Sequence, residues 1–319
     1  MTSLFPIFTF SLLVLASSLG YGKSCTYAEY VGANQAILCL EPVAATDCQT
    51  INGDSKDTAC LTNTFIGRCI YDGSQQFIYT GEEKDAREYC LMQGAEFEKG
   101  PDKVTLRPPL TAALASLESD QACTVTTTNL SLSFVPPLKK EVGVLIHPGA
   151  FVDGRAYGPL ARSLCESGLR VEILIYEDGL ATSTPLLGEA LLKASKSRWF
   201  VLGHSLGGRA ATALAFSEQS RVDGIILLAS YAPEEYSLKN LKLSLLSIYA
   251  DQDGLIPPGE LLAKSKNKPK NHKFVAIKGG NHANFGSYGK QDGDKDALIT
   301  RERQQQLVKS EILKFVYEN

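Results

Sequence analysis

The 319-residue sequence lacks the features on which several classes of protein depend. It has no run of lysine and arginine apart from scattered lysines within residues 264–273, and its 32 basic residues are balanced by 35 acidic ones, for a net charge of −3. A nucleic-acid-binding protein needs a basic surface to meet the phosphate backbone, so we expect no nucleic-acid partner. Beyond the amino-terminal segment no stretch is long and apolar enough to cross a bilayer. We therefore expect no stable membrane span in the mature chain.

The amino-terminal segment contains no charged side chain. The first charged residue is Lys23, and residues 4–19 are mostly apolar, with small residues gathered at the end of the segment. This pattern is typical of a secretory signal peptide, so we predict one over residues 1–22, cleaved between Gly20 and Lys23. A membrane anchor is the alternative, although Pro6 and the polar residues leave the segment near the lower length limit for a span.

Closely spaced Cys-x-x-Cys pairs, which are typical of structural zinc sites, are absent, although the sequence contains eight cysteines. Six cysteines fall between Cys25 and Cys90, in a polar and turn-rich stretch where a small domain needs disulfides for stability. The sequence does not select one pairing among them. We expect a disulfide-rich module over residues 23–100 and an oxidising location, secreted, periplasmic or extracellular. Cys165 lies in a helical pattern and is predicted to be a small buried hydrophobic residue.

The pattern of the chain changes after a linker region, which we place at residues 99–103 and Pro108–Pro109 because proline and glycine break regular structure there. Beyond it, apolar runs alternate with amphipathic stretches, which is typical of a mostly parallel sheet covered by helices on both faces. We therefore predict an α/β domain over residues 104–319. Residues 124–134 alternate like strands; further strands are predicted at 142–146, 171–176, 199–202, 222–229, 243–249 and 274–277, and helices at 156–166, 186–194, 206–217 and 302–316.

The strand at 199–202 runs directly into Gly203-His204-Ser205-Leu206-Gly207-Gly208, which opens a helix. A Gly-x-Ser-x-Gly motif alone is a weak indicator. On a sharp turn between a buried strand and a helix, however, the serine is exposed for attack, and the glycines allow close packing around the turn. The helix N-terminus beside it favours developing negative charge. We predict Ser205 as a nucleophile; a serine that merely caps the helix is the alternative.

Histidine is scarce, and the four histidines narrow the choice of a base for Ser205. His204 adjoins the serine, but the turn is expected to direct its side chain elsewhere. His147 ends a predicted strand, where it is better placed to shape the oxyanion loop. His272 precedes the last predicted strand, whereas His282 follows it, at the carboxyl end where sites form in open α/β sheets. We therefore predict His282 as the general base.

Two aspartates follow the strand at 243–249, and either is able to orient the base. Asp253 is favoured because it lies in a turn closed by Gly254 and Pro257, whereas Asp251 directly prolongs the strand. The resulting chain order of nucleophile, acid and base is the order expected for a triad whose nucleophile lies on a strand-to-helix turn.

A tetrahedral intermediate also needs two N–H donors for its oxyanion. The backbone N–H of Leu206, directly after the nucleophile, is predicted to be one of them. The other should come from the loop that follows the strand at 142–146, where we predict Ala150, with Phe151 as the alternative. In the absence of Ser205 this loop would be interpreted as an ordinary Pro-Gly turn.

Four segments together resemble the α/β-hydrolase superfamily and are similar to compact members related to dienelactone hydrolases, over about two-thirds of the chain: residues 147–157, 203–208, 247–255 and 279–289. The resemblance implies an α/β-hydrolase fold with Ser205 as nucleophile, His282 as base and Asp253 as its partner, and no metal or organic cofactor. Ala250 stands where relatives often have glycine, so the choice of acid stays open.

The sequence also bears on the shape of the cleft. Too few residues separate 230 from 243 for the helical cap that many relatives insert, so we expect an open cleft that prefers short or planar acyl groups. The polar segment 286–296 is expected to fold over one rim. Its alternating aspartates are spaced as in calcium loops, but Ala297 stands where such a loop needs glycine, which argues against calcium.

Our leading hypothesis is a secreted serine hydrolase that cleaves a small-molecule carboxylic ester or lactone through an acyl-enzyme. A thioesterase, an amidase or an acyltransferase stays open, because these enzymes share the triad. The alternative from another class is a catalytically silent protein of the same fold that binds a cell-surface or matrix partner through its Cys-rich module.

Overall fold

The computed structural model describes residues 24–31, 34–41, 54–56, 66–72, 74–78, 83–99, 105–138, 142–176, 179–182, 186–195 and 197–319. The predicted signal peptide, residues 1–22, lies outside this part of the chain, as do Cys48, Cys60 and residues 100–103 of the predicted linker. Among the described residues, no helix combines the length and the apolar character needed to cross a membrane.

The described part of residues 24–99 forms an antiparallel sheet of six strands with one helix. A disulfide joins Cys69, in a strand of this sheet, to Cys90, in the helix, which fits the prediction of a disulfide-rich module. Cys39 is disulfide-bonded as well. The strands, in the spatial order β3-β1-β2-β5-β4-β6, and the helix are β1 Ser24–Val31, β2 Asn34–Glu41, β3 Asp54–Lys56, β4 Gly67–Tyr71, β5 Ser74–Ile78, α1 Glu83–Met92 and β6 Glu96–Lys99.

The remainder of the chain forms an eight-stranded sheet, in the order β14-β13-β12-β11-β9-β10-β8-β7. Strands β9 to β14 are parallel, and β8 and β7 extend one edge antiparallel. The prediction of a mostly parallel sheet is therefore confirmed. The strands are β7 Thr124–Thr127, β8 Ser131–Val135, β9 Val142–His147, β10 Arg170–Leu174, β11 Arg198–His204, β12 Val222–Leu228, β13 Ser244–Ala250 and β14 Asn271–Ile277.

Helices cover both faces of this sheet, because its parallel strands bury side chains on both faces. In β12, successive side chains point to opposite faces, so Ile226 joins one buried cluster and Ile225 the other. Helices α3 and α7 contribute to the first cluster, and α4 and α5 to the second. The helices are α2 Thr111–Leu114, α3 Gly158–Cys165, α4 Leu186–Ala194, α5 Leu206–Ser217, α6 Pro258–Lys264 and α7 Arg301–Glu318.

The prediction that Cys165 is merely a small buried hydrophobic residue is wrong. Cys165, at the end of α3, forms a disulfide with Cys123, directly before β7, with a Cα–Cα distance of 6.0 Å. The two residues are 42 positions apart in sequence. Only the packing of α3 against the antiparallel edge of the sheet brings them within disulfide distance, and no local pattern encodes that packing.

The prediction that the domain has no large cap is confirmed. Residues 229–243, between β12 and β13, contain only a short 3₁₀ turn, Glu234–Tyr236. The segment after His282 folds against the rest of the domain, since Ser287 donates its N–H to the carbonyl of Ala156 and its own carbonyl accepts the N–H of Leu110. The carboxyl ends of the central strands are therefore flanked by loops rather than by an inserted domain.

Candidate active site

Ser205 lies on a sharp turn between β11, which ends at His204, and α5, which begins at Leu206. Its backbone has φ 51° and ψ −122°, a region that residues with a side chain rarely occupy. Such a conformation costs about 1–3 kcal/mol and persists only where neighbouring structure enforces it. Here the Ser205 N–H donates to the carbonyl of Leu228, and its own carbonyl accepts the hydroxyl of Ser230 at 2.8 Å. The turn leaves the half-buried Ser205 side chain outside both elements.

Two glycines make this turn possible by close approach rather than by unusual dihedral angles. A Cβ on Gly203 would lie 2.3 Å from the carbonyl oxygen of Gly207. A Cβ on Gly207 would lie 2.2 Å from the carbonyl oxygen of His147, at the end of β9. Since real contacts of this kind are essentially never so short, the start of α5 reaches the end of β9 only because both positions lack a side chain. The approach brings the Ser205 turn next to the predicted oxyanion loop.

The predicted base and the predicted acid contact each other directly. His282 Nδ1 is 2.8 Å from Asp253 Oδ2, and the two side chains are 1% and 0% exposed. The other carboxylate oxygen of Asp253 accepts the backbone N–H groups of Leu255 at 2.9 Å and Ile256 at 2.7 Å. These bonds fix the carboxylate, so that it orients the imidazole and leaves Nε2 as the ring nitrogen available for proton transfer.

The alternative acid and base lie elsewhere. Asp251 is exposed and accepts the backbone N–H of Gly279 at 2.7 Å. His272 is exposed near the start of β14, at the opposite end of the sheet from His282. The structure thus brings Asp253 and His282 together and keeps Asp251 and His272 away from them.

The side chain of His204 is buried and contacts the predicted base. Its ring centroid lies 4.7 Å from that of His282, so the residue preceding Ser205 is in direct contact with the predicted base. The side chain of His204 thus lies against the predicted base and Tyr157, a placement that the sequence analysis did not anticipate. Burial, and secondarily the charge of His282, lower the pKa of His204 well below its ordinary value. His204 is therefore neutral at physiological pH.

Tyr157 joins His204 to the loop after β9. Its hydroxyl accepts the backbone N–H of Gly149 at 2.9 Å and contacts His204 Nδ1 at 2.7 Å. Burial raises the pKa of Tyr157 far above its ordinary value, so the hydroxyl keeps its proton. Tyr157 falls within a motif that the sequence analysis singled out, but nothing in the sequence distinguishes it from an ordinary core tyrosine.

The loop after β9 offers one free N–H at the predicted oxyanion position. The N–H of Gly149 is donated to Tyr157, and that of Phe151 to the carbonyl of Gly179 at 2.7 Å. Within the part of the chain that the structure describes, no acceptor lies in hydrogen-bonding position for the N–H of Ala150 or for that of Leu206. Phe151 has φ 56° and holds the loop in a strained conformation. The geometry therefore favours Ala150 over Phe151 as the second donor.

His147, the remaining histidine, has a different neighbour. Its Nδ1 lies 2.8 Å from the hydroxyl of Tyr176, and a Cβ on Gly188 would approach its ring on the α4 side of the sheet. Burial lowers the pKa of His147 to about 3. His147 and Tyr176 thus form a second buried histidine–tyrosine pair, which has no described contact with His282.

Asp294 connects the loops that hold the acid and the base. Its Oδ1 accepts the N–H of Gly254 at 3.0 Å and that of His282 at 3.3 Å, and its Oδ2 accepts the N–H of Ala283 at 2.9 Å. In the sequence Asp294 stands out only as part of the calcium-like alternation. Within the described residues, no group of three or more His, Cys, Asp or Glu side chains is arranged to hold a metal ion.

The sequence profile of the alpha/beta hydrolase family matches residues 143–306, a span of just over half the chain. This span contains the serine turn and the Asp253–His282 pair, and with the eight-stranded sheet it confirms the expected superfamily. The chain belongs to the alpha/beta hydrolase family, and this membership supports a hydrolase function. A search of curated proteins found no match.

Solved structures similar to this chain include enzymes described as esterases. Est1E from Butyrivibrio proteoclasticus is 16% identical, over 60% of this chain and 98% of its own, with a TM-score of 0.45. The carboxylesterase CesB (YbfK) from Bacillus subtilis is 9% identical, over 65% of this chain and 95% of its own, with a TM-score of 0.48. An alpha-beta serine hydrolase homologue from Coxiella burnetii is 15% identical, over 62% of this chain and 99% of its own, with a TM-score of 0.43. The family assignment depends on the sequence profile.

Proposed function

We propose that the protein is a secreted serine hydrolase that cleaves a carboxylic ester or lactone. The observation that carries the proposal is the buried hydrogen bond between Asp253 and His282, next to a strained strand-to-helix turn that presents Ser205. Burying an Asp–His pair costs desolvation free energy. In a member of a hydrolase family, such a buried pair is typical of the catalytic site. In this account residues 1–22 are the signal peptide, 23–100 the disulfide-rich module and 104–319 the catalytic domain.

The first half of the reaction forms an acyl-enzyme. Ser205 Oγ attacks the carbonyl carbon of the ester, and its proton passes to His282 Nε2. Asp253 holds the imidazole through Nδ1 and stabilises the imidazolium that results. His282 then gives the proton to the leaving alcohol oxygen as the bond from the carbonyl carbon to that oxygen breaks. The acyl group remains on Ser205.

The tetrahedral intermediate places a negative charge on the former carbonyl oxygen. The N–H groups of Leu206 and Ala150 are the proposed donors, since those of Gly149, Phe151 and Ser205 are already engaged. Loss of one such donor costs roughly 3–4 kcal/mol of transition-state stabilisation in enzymes where it has been measured.

The second half of the reaction repeats these steps with water. His282 removes a proton from a water molecule, which attacks the acyl carbonyl, and the proton is returned to Ser205 as the carboxylic acid leaves. The same reaction steps are open to a thioester or an amide as substrate, or to a second alcohol in place of water as the acyl acceptor. The leaving group and the acyl acceptor therefore distinguish an esterase from the related activities.

The loops around the site support a preference for short or planar acyl groups. Residues 229–243 form no helical cap over the cleft, which supports an open site. The proposed location is supported by the disulfides Cys69–Cys90 and Cys123–Cys165, since such bonds persist in oxidising compartments.

The experiment is a panel of p-nitrophenyl esters of graded acyl length, with the wild-type protein, Ser205→Ala and the matched variant Ser237→Ala, which changes another half-buried serine. We expect the wild type and Ser237→Ala to hydrolyse acetate and butyrate esters and Ser205→Ala to lose more than about 1,000-fold in kcat. Equal rates for wild type and Ser205→Ala would contradict the proposal. Strong selectivity for long acyl chains would contradict the open cleft. Thioester, anilide and alcohol-acceptor assays on the same proteins identify the related activities.

A further inference from the structure

The pair Tyr157–His204 lies between the oxyanion loop and the predicted base, and its protons are in defined positions. The buried hydroxyl of Tyr157 has one acceptor within reach among the described residues, His204 Nδ1 at 2.7 Å, so its hydrogen is directed there while its oxygen accepts the N–H of Gly149. His204 Nδ1 is then an acceptor. Since a neutral imidazole carries one proton, that proton is on Nε2.

The other side of the His204 ring faces the predicted base. Nε2 is buried and has no hydrogen-bond partner among the described residues. The ring itself packs against the imidazole of His282, with 4.7 Å between the two ring centroids. His204 therefore contacts Tyr157 through Nδ1 and the base through its ring.

We propose that Tyr157 and His204 are positioning residues, which join the oxyanion loop to the base in one buried chain from the Gly149 N–H through the Tyr157 hydroxyl to the His204 ring, which packs against the ring of His282. This inference rests on the proposed function and adds two residues to it. The chain fixes Gly149, the neighbour of the proposed donor Ala150, and it supports the His282 ring by direct contact.

The chemistry of His204 suits this role. A neutral ring next to His282 does not oppose the positive charge that His282 gains when it accepts the serine proton, whereas a charged ring would repel it. Because the side chains of Tyr157 and His204 are 0% and 1% exposed, water does not compete for their hydrogen bonds. A displacement of catalytic groups by about 1 Å is enough to cost roughly 100-fold in rate.

The first test is Tyr157→Phe, with Tyr176→Phe as the matched control. Tyr176 also bonds to the Nδ1 of a buried histidine, His147, but this second pair has no described contact with His282. We expect Tyr157→Phe to lower kcat by about 10- to 100-fold with KM nearly unchanged, and Tyr176→Phe to lose comparable thermal stability with kcat nearly unchanged. Equal losses of kcat in the two variants, or none in Tyr157→Phe, would overturn the proposal.

The second test separates the two contacts of the His204 ring. His204→Phe keeps a ring against His282 and removes the acceptor for the Tyr157 hydroxyl, whereas His204→Asn keeps an acceptor for Tyr157 and removes the ring. If the contact with His282 positions the base, His204→Phe retains more of kcat than His204→Asn. The reverse order, or two variants that unfold more easily yet keep the wild-type kcat, would overturn the proposal.

The third test does not depend on turnover. Nitrogen chemical shifts of the imidazole rings in the folded wild-type protein report the tautomer of each histidine. We expect His204 to be neutral at pH 7 with its proton on Nε2, and to move its proton when Tyr157 is replaced by phenylalanine. A proton on Nδ1 in the wild type would overturn the chain. If the wild type shows no Ser205-dependent hydrolysis, the proposed function fails, and the tautomer still decides this inference.

Discussion

Asp253 Oδ2 and His282 Nδ1 are 2.8 Å apart in a region that excludes water almost completely. Removing such a pair from water costs several kcal/mol per charged group unless every polar atom finds a partner. The second oxygen of Asp253 meets this condition through the N–H groups of Leu255 and Ile256. The hydrogen bond between Asp253 and His282 therefore fixes the tautomer and the orientation of the predicted base before any substrate binds.

Replacement of Asp253 by asparagine should lower kcat by about 1,000- to 10,000-fold, because the amide no longer stabilises the imidazolium and disturbs the tautomer of His282. The matched variant is Asp251→Asn, which alters an exposed carboxylate two positions away that bonds only to neighbouring loop groups. Ester hydrolysis under saturating substrate is the measurement. A larger loss in Asp251→Asn than in Asp253→Asn would assign the acid differently.

Asp294 should prove necessary for the geometry of the pair although it does not touch the reacting atoms. Asp294→Ala removes three acceptor contacts to the loops of Asp253 and His282, so we expect kcat to fall by about 10- to 100-fold. Asp296→Ala is the control, since Asp296 is exposed and pairs only with Lys290. Ester hydrolysis under saturating substrate is again the measurement. Indistinguishable kcat values for the two variants would show that Asp294 does not position the site.

The buried histidines should make the fold sensitive to acid. Burial lowers the pKa of His147 from 6.5 to about 3, and that of His204 also moves down. Between about pH 3 and pH 6.5, His147 binds more protons in the unfolded chain than in the folded one. The free energy of unfolding therefore falls as the pH falls below about 6.5. Each such histidine contributes up to about 1.4 kcal/mol per pH unit.

Urea unfolding at pH 7, 6, 5 and 4 measures this dependence. His147→Gln should unfold with a shallower pH dependence than the wild type, because glutamine does not titrate. Identical slopes in the wild type and His147→Gln would show that His147 is not held neutral by burial.

The disulfide between Cys123 and Cys165 should stabilise the catalytic domain. It closes a loop of 42 residues, for which the restriction of the unfolded chain is worth about 4 kcal/mol. The double variant Cys123→Ser/Cys165→Ser should therefore unfold at a lower denaturant concentration under oxidising conditions and close to the wild type after full reduction. If the double variant had the same denaturation midpoint as the wild type under oxidising conditions, the disulfide would not stabilise the domain.

Elements with a strong local pattern could be predicted from sequence. The helix predicted at 206–217 has those bounds in the structure, because a buried strand, two glycines and an alanine-rich stretch define both of its ends. The parallel sheet could likewise be predicted from the alternation of apolar strands and helices. The boundary of the helix predicted at 156–166 differs, since a 3₁₀ turn over Gly154–Tyr157 precedes α3.

The contacts that complete the site could not be predicted. Tyr157 and His204 are 47 residues apart, and their hydrogen bond depends on how the loop after β9 closes over β11. Asp294 accepts hydrogen bonds from backbone N–H groups. Because every residue except proline has such a group, the sequence does not reveal these contacts. The sequence thus predicts which side chains carry the proposed chemistry, whereas their supporting contacts emerge only from the packing of distant loops.

The most direct test of the account is reaction with a fluorophosphonate, followed by mass spectrometry of the labelled peptides. The account predicts one phosphonylated residue, Ser205, with labelling abolished in Ser205→Ala and slowed by at least about 100-fold in His282→Gln. A folded wild-type protein that stays unlabelled, or that is labelled at another residue, would contradict the claim that Ser205 is an activated nucleophile and would favour a binding protein that keeps only the fold.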